Sequence, residues 1–157
     1  MGGETGIRDL VTGLYARDYF DEIIGRELER SRRHDIALSV LSVVVVSDAE
    51  TRRKDPQAAD EVLAQAAKHL QSSVRETDHV FRWEEDEFVI LLFEADAIAC
   101  ARKVQQLNAL FRPWREGGGP IPVPLKLRIG GATHDKDVVF AGVLQAARAI
   151  ARMQTRH

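Results

Sequence analysis

Apolar residues recur along this chain with two different periods, and each period predicts one kind of element. A spacing of three to four residues predicts four amphipathic helices, over residues 17–33, 55–74, 96–112 and 138–153. Residues 36–46 are rich in β-branched side chains and almost wholly apolar, which is typical of a strand covered on both faces. Residues 78–93 contain two strand-like runs around an acidic reversal and predict a β-hairpin, and residues 125–133 predict a last strand.

The order of these elements limits the fold class. Helix, strand, helix, hairpin, helix, strand and helix favour an α/β (α+β) sandwich with a mixed sheet over a helical bundle or a barrel. The segment 115–124 is dense in glycine and proline and predicts a surface loop. Because no internal repeat or domain linker is visible, residues 1–157 are interpreted as a single domain.

Charge and cysteine content exclude several kinds of partner. A formal net charge of −2 and a pI near 6.2 argue against binding to nucleic acid through its phosphates. The lone Cys100 excludes an internal disulfide, so we expect a cytoplasmic protein in which this residue is a small buried apolar group. The longest apolar run, residues 40–46, is too short to span a bilayer, and no membrane insertion by this segment is expected.

Three short motifs follow one another along the chain. The first is Asp9-Leu-Val-Thr-Gly-Leu14 with Arg17 and Phe20 after it, the second is Arg82-Trp-Glu-Glu-Asp-Glu-Phe88, and the third is Ile129-Gly130. In order and spacing they resemble D-x-L-T-G-L-x-N-R-x-x-F, R-x-G-G-D-E-F and S-I-G of the bacterial GGDEF family, the diguanylate cyclases. The resemblance implies a nucleotidyl-cyclase-like fold, with a mixed, mostly antiparallel five-stranded central sheet flanked by helices. It also allows that the chain is a fragment of a larger signalling protein.

The same resemblance implies a chemistry that this sequence does not fully retain. Family members condense two GTP molecules with the help of divalent metal ions, which need carboxylate ligands. Matching positions are kept at Asp60, Asp86 and Glu87. They are lost at Val43, where the family has a metal-binding aspartate, at Thr51, where it has a guanine-reading asparagine, and at Glu84 and Glu85, where it has two glycines. We therefore expect an inactive domain with no catalytic residues and no required cofactor.

Two further sequence expectations concern the hairpin and the end of the chain. Asp86 remains a weak candidate metal ligand, and Mg²⁺ would matter only if GTP binding survives; otherwise residues 84–87 are a solvated acidic turn. The family's late lysine and arginine, which hold triphosphate, have no evident counterpart, because no lysine follows Lys136.

A second resemblance suggests a ligand instead of a substrate. Arg75-Glu-Thr-Asp78 stands five residues before the hairpin signature, where many family members carry the R-x-x-D product-inhibition site for cyclic di-GMP. An arginine can donate two hydrogen bonds to guanine or phosphate, and a carboxylate can accept from guanine N–H groups. Arg102 on the following helix is the candidate second arginine. The alternative for Arg75 and Asp78 is an ordinary exposed salt bridge.

Three hypotheses of function follow from these observations. The first is an inactive GGDEF domain that binds cyclic di-GMP through Arg75 and Asp78 and signals to a fused or separate protein, as a homodimer. The second is a dimerisation or protein-interaction domain that binds no nucleotide. The third is residual diguanylate cyclase activity, converting two GTP to cyclic di-GMP.

Overall fold

The computed structural model describes residues 7–46, 53–119, 125–135 and 139–153. The helices are α1 (Phe20–His34), α2 (Pro56–Ser72), α3 (Ala97–Phe111) and α4 (Phe140–Met153). The strands are β1 (Tyr15–Ala16), β2 (Leu38–Val46), β3 (His79–Glu84), β4 (Glu87–Phe93) and β5 (Lys126–Thr133). Short 3₁₀ helices precede α1 at Arg17–Tyr19 and follow α3 at Arg112–Glu116.

The predicted helices, the hairpin and the two other predicted strands are all present within a few residues of their expected bounds. The start of α2 also has the predicted cap, since the Asp55 carboxylate accepts a hydrogen bond from Ala58 N at 3.1 Å and Pro56 occupies the first turn. Strand β1 was not predicted. It contains two residues, which is too short for any hydrophobic period to be visible.

The five strands form one sheet in the order β1-β3-β4-β2-β5. Only the β1–β3 pair is parallel, while β3–β4, β4–β2 and β2–β5 are antiparallel. The sheet is therefore mixed and mostly antiparallel, as expected from the resemblance. Strand β2 lies between β4 and β5, and both of its faces are buried over nearly its whole length. This explains why its sequence is a continuous apolar run instead of an alternating one.

Helices cover both faces of the sheet and create two apolar layers. Helices α2 and α3 pack on the face that includes Val43 and Phe88. Helices α1 and α4 pack on the other face, which includes Val89 and Leu91. Cys100 is buried in the first layer, as predicted from its neighbours in the sequence. Among the described residues, no helix combines the length and the apolar character that crossing a membrane requires.

Helix α4 approaches the sheet unusually closely at Gly130 of β5. A Cβ atom at this position would lie 2.3 Å from the Ala147 carbonyl oxygen and 2.6 Å from Ala151 N. Only glycine allows the helix backbone to pass at this distance. The glycine of the third motif therefore fixes the position of α4, and with it the position of the side chains that α4 directs towards the hairpin.

Candidate functional site

The tip of the hairpin is held by the side chain of Arg82. Its Nε donates to the Glu84 carbonyl at 2.8 Å and its Nη2 to the Glu85 carbonyl at 2.5 Å. The β3–β4 register shifts between Arg82 and Glu84, so the strand is irregular where the two glutamates replace the family's glycines. The turn is thus closed by the Arg82 side chain, which donates hydrogen bonds to the backbone carbonyls of two turn residues.

The first motif packs directly against this turn. Asp9 Oδ2 accepts hydrogen bonds from Thr12 N at 2.9 Å and from Thr12 Oγ1 at 2.7 Å, which folds residues 9–13 into a compact loop. The same oxygen accepts from Arg82 Nη1 at 3.1 Å. Two motifs that are far apart in the sequence are therefore joined through one pair of charged residues.

Glu87, which matches the glutamate of the family's signature, is fully buried. Arg148 of α4 donates to it through Nε at 2.8 Å and Nη2 at 2.9 Å, and Ser42 Oγ donates at 2.7 Å. Hydrogen bonding to Glu87 raises the pKa of Arg148 above its ordinary value. The carboxylate therefore acts as an internal counter-ion that joins β4 to α4.

Asp86, the weak metal candidate, is also engaged by α4. Arg152 donates to its two oxygens at 3.3 and 3.4 Å, and this hydrogen bonding raises the pKa of Arg152. Val43 is fully buried, with Phe88 as its partner across the β2–β4 pair, so it offers no oxygen to a cation. Within the described part of the chain, no group of three or more His, Cys, Asp or Glu residues could hold a metal ion.

Asp60 and Thr51 are the positions that match the family's guanine-reading pair, and the structure describes only the first of them. Asp60 is exposed on the second turn of α2. Thr51 lies outside the residues that the structure describes. The part that the resemblance gives to Asp60 and Thr51 in reading guanine therefore stays a prediction.

The cations of α4 are the residues that sequence reasoning missed. No evident counterpart of the family's late lysine and arginine was expected from the sequence because no lysine follows Lys136, but Arg148 and Arg152 both reach the hairpin from the last helix. Their spacing of four residues places them on one face of α4, which the sequence shows, whereas their contact with the hairpin depends on packing. Two guanidinium groups therefore stand at the hairpin, where no counterpart of the family's late cations was expected from the sequence.

Asp78 of the Arg75-x-x-Asp78 motif is buried, and its carboxylate is used within the chain. The side chain is 1% exposed, and its oxygens accept from Arg75 N and from Phe93 N, each at 3.0 Å. Arg75 contacts the same carboxylate at 3.4 Å and donates through Nη2 to the Phe93 carbonyl. Asp78 therefore ties the α2–β3 loop to the end of β4, and of this ion pair only Arg75, 55% exposed, presents its charge to solvent.

Other cations lie around the end of β4. The Arg30 guanidinium of α1 lies 4.4 Å from the centre of the Phe93 ring, so Arg30 and Arg75 contact the same residue. Lys103 Nζ of α3 donates to the Ser73 carbonyl at 2.8 Å, two residues before Arg75. We call Arg30, Arg75 and Lys103 the β4-end cluster.

Arg102, the candidate from sequence, lies on α3 directly before Lys103. It lines a shallow surface depression of about 730 Å³, together with Ile36, Ala37, Glu94, Asp96, Ile98 and Ala99. The α3 cation that touches the loop of Arg75 is therefore Lys103. The sequence could not distinguish these neighbouring residues, because the helix phase relative to the loop depends on packing.

Comparisons with known proteins agree with this fold. Diguanylate cyclase DosC of Escherichia coli strain K12 is 27% identical over 141 residues, which are 88% of this chain and 31% of that protein. The chain thus spans about a third of the length of this curated relative. Among solved structures, diguanylate cyclase SiaD of Pseudomonas aeruginosa, in complex with its activator SiaC, superposes with a TM-score of 0.83 at 24% identity, covering 98% of this chain and 60% of that one.

Two further comparisons concern the domain itself. The coiled coil and GGDEF domain of DgcB from Caulobacter crescentus, solved in complex with c-di-GMP, superposes with a TM-score of 0.84 at 14% identity, covering 99% of this chain and 83% of that one. The profile of the family described as "Diguanylate cyclase, GGDEF domain" matches residues 7–153, a span that includes the first motif, the hairpin and α4. This chain therefore belongs to the GGDEF domain family of the diguanylate cyclases.

Proposed function

We propose that this GGDEF domain is catalytically inactive and acts as a regulatory module that binds cyclic di-GMP at the β4-end cluster. The observation that carries the proposal is the convergence of Arg75 and Arg30 on Phe93, from a loop and a helix that are separate in sequence. Guanidinium groups suit a cyclic dinucleotide because they donate in pairs to guanine edges and phosphates. Lys103 adds a third positive charge from α3.

The loss of catalysis is argued from the hairpin. Glu84 and Glu85 place side chains where the family has glycines, and two carboxylates repel a triphosphate. Asp86 and Glu87 are already paired with the arginines of α4. Val43 leaves a metal ion without the second aspartate of the family site, and phosphoryl transfer depends on such ions.

In this proposal Arg75 contacts the ligand and Asp78 acts through Arg75. The buried carboxylate holds the loop and orients the guanidinium, while the exposed part of Arg75 remains available. Arg102 forms an outer contact next to Lys103. The sensor would pass its signal to a fused or separate protein, and we expect it to function as a homodimer.

The test is calorimetric titration with cyclic di-GMP on the wild type, Arg75→Ala and Arg30→Ala. The matched control is Arg112→Ala, an exposed arginine about 15 Å further along the α3 axis than Arg102. Binding that is lost in both test variants and kept in the control supports the proposal. No heat with the wild type contradicts it. Arg102→Ala and Lys103→Ala, compared side by side, identify the contributing α3 cation.

Catalysis is tested separately, by incubating the protein with GTP and Mg²⁺ or Mn²⁺ and measuring cyclic di-GMP by chromatography. We expect no product. Product that disappears in Asp86→Ala would establish residual cyclase activity and overturn the inactive assignment.

A second candidate function is a dimerisation or protein-interaction domain that binds no nucleotide. The saturated hydrogen bonding of Asp78 favours it, because this carboxylate has no acceptor left for guanine. Light scattering with and without cyclic di-GMP separates the two candidates. A monodisperse dimer that ignores cyclic di-GMP and GTP supports the second one.

A further inference from the structure

A groove of about 500 Å³ lies between the first half of α1 and the beginning of α4. Apolar side chains of both helices and of the end of β3 line it: Phe20, Ile24, Leu28, Trp83, Phe140 and Leu144. Those of α1 are spaced by four residues, and so are those of α4, which places each set along one face of its helix. We call this feature the α1–α4 groove.

The floor of the α1–α4 groove is aromatic, and one wall is open to solvent. The ring centre of Phe20 lies 4.9 Å from that of Trp83 and 6.2 Å from that of Phe140. Val139, which also lines the groove, is 77% exposed. Concave apolar surface with an exposed apolar wall is typical of a site where another molecule binds.

A buried donor in this groove lacks a partner. Trp83 is 9% exposed, and its indole N–H has no hydrogen-bond acceptor among the described residues. Buried indole N–H groups usually have an acceptor, because an unsatisfied donor costs free energy. The Arg17 guanidinium covers the ring at 4.5 Å, but a cation accepts no hydrogen bond. An occupant that brings an oxygen atom to Trp83 supplies the missing acceptor.

The charges at the mouth of the groove are mainly negative. Asp18 and Asp21 line it, both are exposed, and neither forms an ion pair with a cation of the described chain. Arg17, the cation among the described lining residues, is already paired with Glu84 at 2.6 Å. The mouth therefore complements a cationic partner and repels an anionic one.

We propose that the α1–α4 groove is the docking site for an amphipathic α-helix of a partner protein, with lysine or arginine at the end that meets Asp18 and Asp21. A helix that binds in a groove presents apolar side chains at positions i, i+3 or i+4 and i+7. These positions span about 10.5 Å of helix, and the groove extends about 12 Å from Phe20 to Leu28 of α1. The length, the apolar lining and the acidic mouth thus suit the same occupant.

The experiment measures the fluorescence polarisation of a labelled synthetic peptide at low ionic strength. The peptide has about 14 residues, a usual helix length, with leucines at i, i+4 and i+7 and lysines at one end. We expect the wild type to bind it. A second peptide, with glutamates in place of the lysines, should bind at least about tenfold more weakly because the mouth is acidic.

Two variants with matched controls locate the binding. Val139→Arg adds bulk and positive charge to the groove wall and should weaken binding of the lysine peptide at least about tenfold. Its control is Met153→Arg, at the last residue of α4, which is 78% exposed and should stay within about twofold of the wild type. Asp21→Asn should weaken binding about threefold, whereas Glu61→Gln, which removes an exposed charge of α2, should not.

Equal binding by the wild type and Val139→Arg, equal binding of the two peptides, or no binding of the lysine peptide would each overturn the inference. Light scattering of the protein alone tests the other occupant. A dimer that Val139→Arg dissociates would assign the groove to a second copy and also overturn it, whereas an oligomeric state that Val139→Arg leaves unchanged agrees with a partner helix.

This inference does not depend on the proposed cyclic di-GMP site, because the groove shares no residue with the β4-end cluster. The peptide is therefore titrated without cyclic di-GMP. Calorimetric titration of Val139→Arg with cyclic di-GMP should match the wild type, which keeps failure at the groove distinct from failure at Arg75.

Discussion

Arg148 donates two hydrogen bonds to the fully buried carboxylate of Glu87, at 2.8 and 2.9 Å, across 61 residues of sequence. Ser42 and Arg152 donate to the same carboxylate at 2.7 and 3.2 Å. A buried charge is costly unless it is paired and hydrogen-bonded. The position of α4 therefore decides whether the start of β4 can contain a glutamate.

We predict that Arg148→Met lowers the free energy of unfolding by about 3 kcal/mol, because it leaves the buried Glu87 without its main partner. The measurement is urea unfolding followed by circular dichroism. Combining Arg148→Met with Glu87→Met should restore most of the loss, since both charges are then absent. Arg33→Met is the control; it removes an exposed pair with Glu29 and should cost less than about 1 kcal/mol. Equal losses in the two arginine variants would contradict the role given to Glu87.

A second prediction concerns Asp78. We expect Asp78→Asn to lower the free energy of unfolding by about 1–3 kcal/mol, because the carboxylate accepts from two backbone N–H groups and from Arg75. Asp60→Asn, at an exposed position of α2, should be within about 0.5 kcal/mol of the wild type. The same urea titration applies. A neutral Asp78→Asn variant would show that the α2–β3 loop does not depend on this carboxylate.

Two glycines should respond to alanine with opposite signs. Gly130→Ala should destabilise the protein by about 1–3 kcal/mol or more, because its Cβ would lie 2.3 Å from the Ala147 carbonyl oxygen. Gly25→Ala, inside α1, should stabilise it by about 0.5–1 kcal/mol, because no other element of the described chain lies within 4 Å of its Cβ. Thermal unfolding midpoints measure both. A Gly130→Ala variant as stable as the wild type would mean that α4 does not need the close approach.

The fourth prediction is a pH dependence at His79 of β3. Burial lowers the pKa of this histidine, while the charges of Glu27 and Asp78 oppose the shift. The unfolded chain then binds more protons than the folded one as the pH falls through the unfolded value of 6.5, so stability contributed by His79 is lost on acidification.

Unfolding midpoints at pH 7.5 and 5.5 measure this effect, and acidification is expected to destabilise the wild type more than His79→Leu. The control is His34→Leu, at the exposed end of α1, which should keep the wild-type difference between the two pH values. If His79→Leu shows the same difference in unfolding midpoint between pH 7.5 and 5.5 as the wild type, His79 is not the cause of the pH dependence.

Most of the architecture was predictable because it depends on local pattern. The amphipathic periods, the apolar run of β2 and the acidic reversal at residues 84–87 each reflect burial of neighbouring residues in the sequence. Strand β1 escaped prediction because two residues carry no period, and it exists through parallel pairing with Phe81 and Arg82.

The candidate site was less predictable, because its contacts depend on long-range packing. Asp78 resembled half of a ligand pair, yet its partners include the backbone N–H of Phe93, which no local pattern reveals. Arg148 and Arg152 were overlooked because their relation to the hairpin depends on the close passage of α4 over Gly130. Lys103, not Arg102, reaches the loop of Arg75 for the same kind of reason.

The bridge between Asp9 and Arg82 has a mechanical consequence. Arg82 holds the loop of residues 9–13 with one hydrogen bond and the two carbonyls of the hairpin tip with two others. The loop and the tip therefore depend on the same guanidinium for these hydrogen bonds. Arg82 thus couples the loop at Asp9, 73 residues before it in the sequence, to the hairpin tip through one side chain.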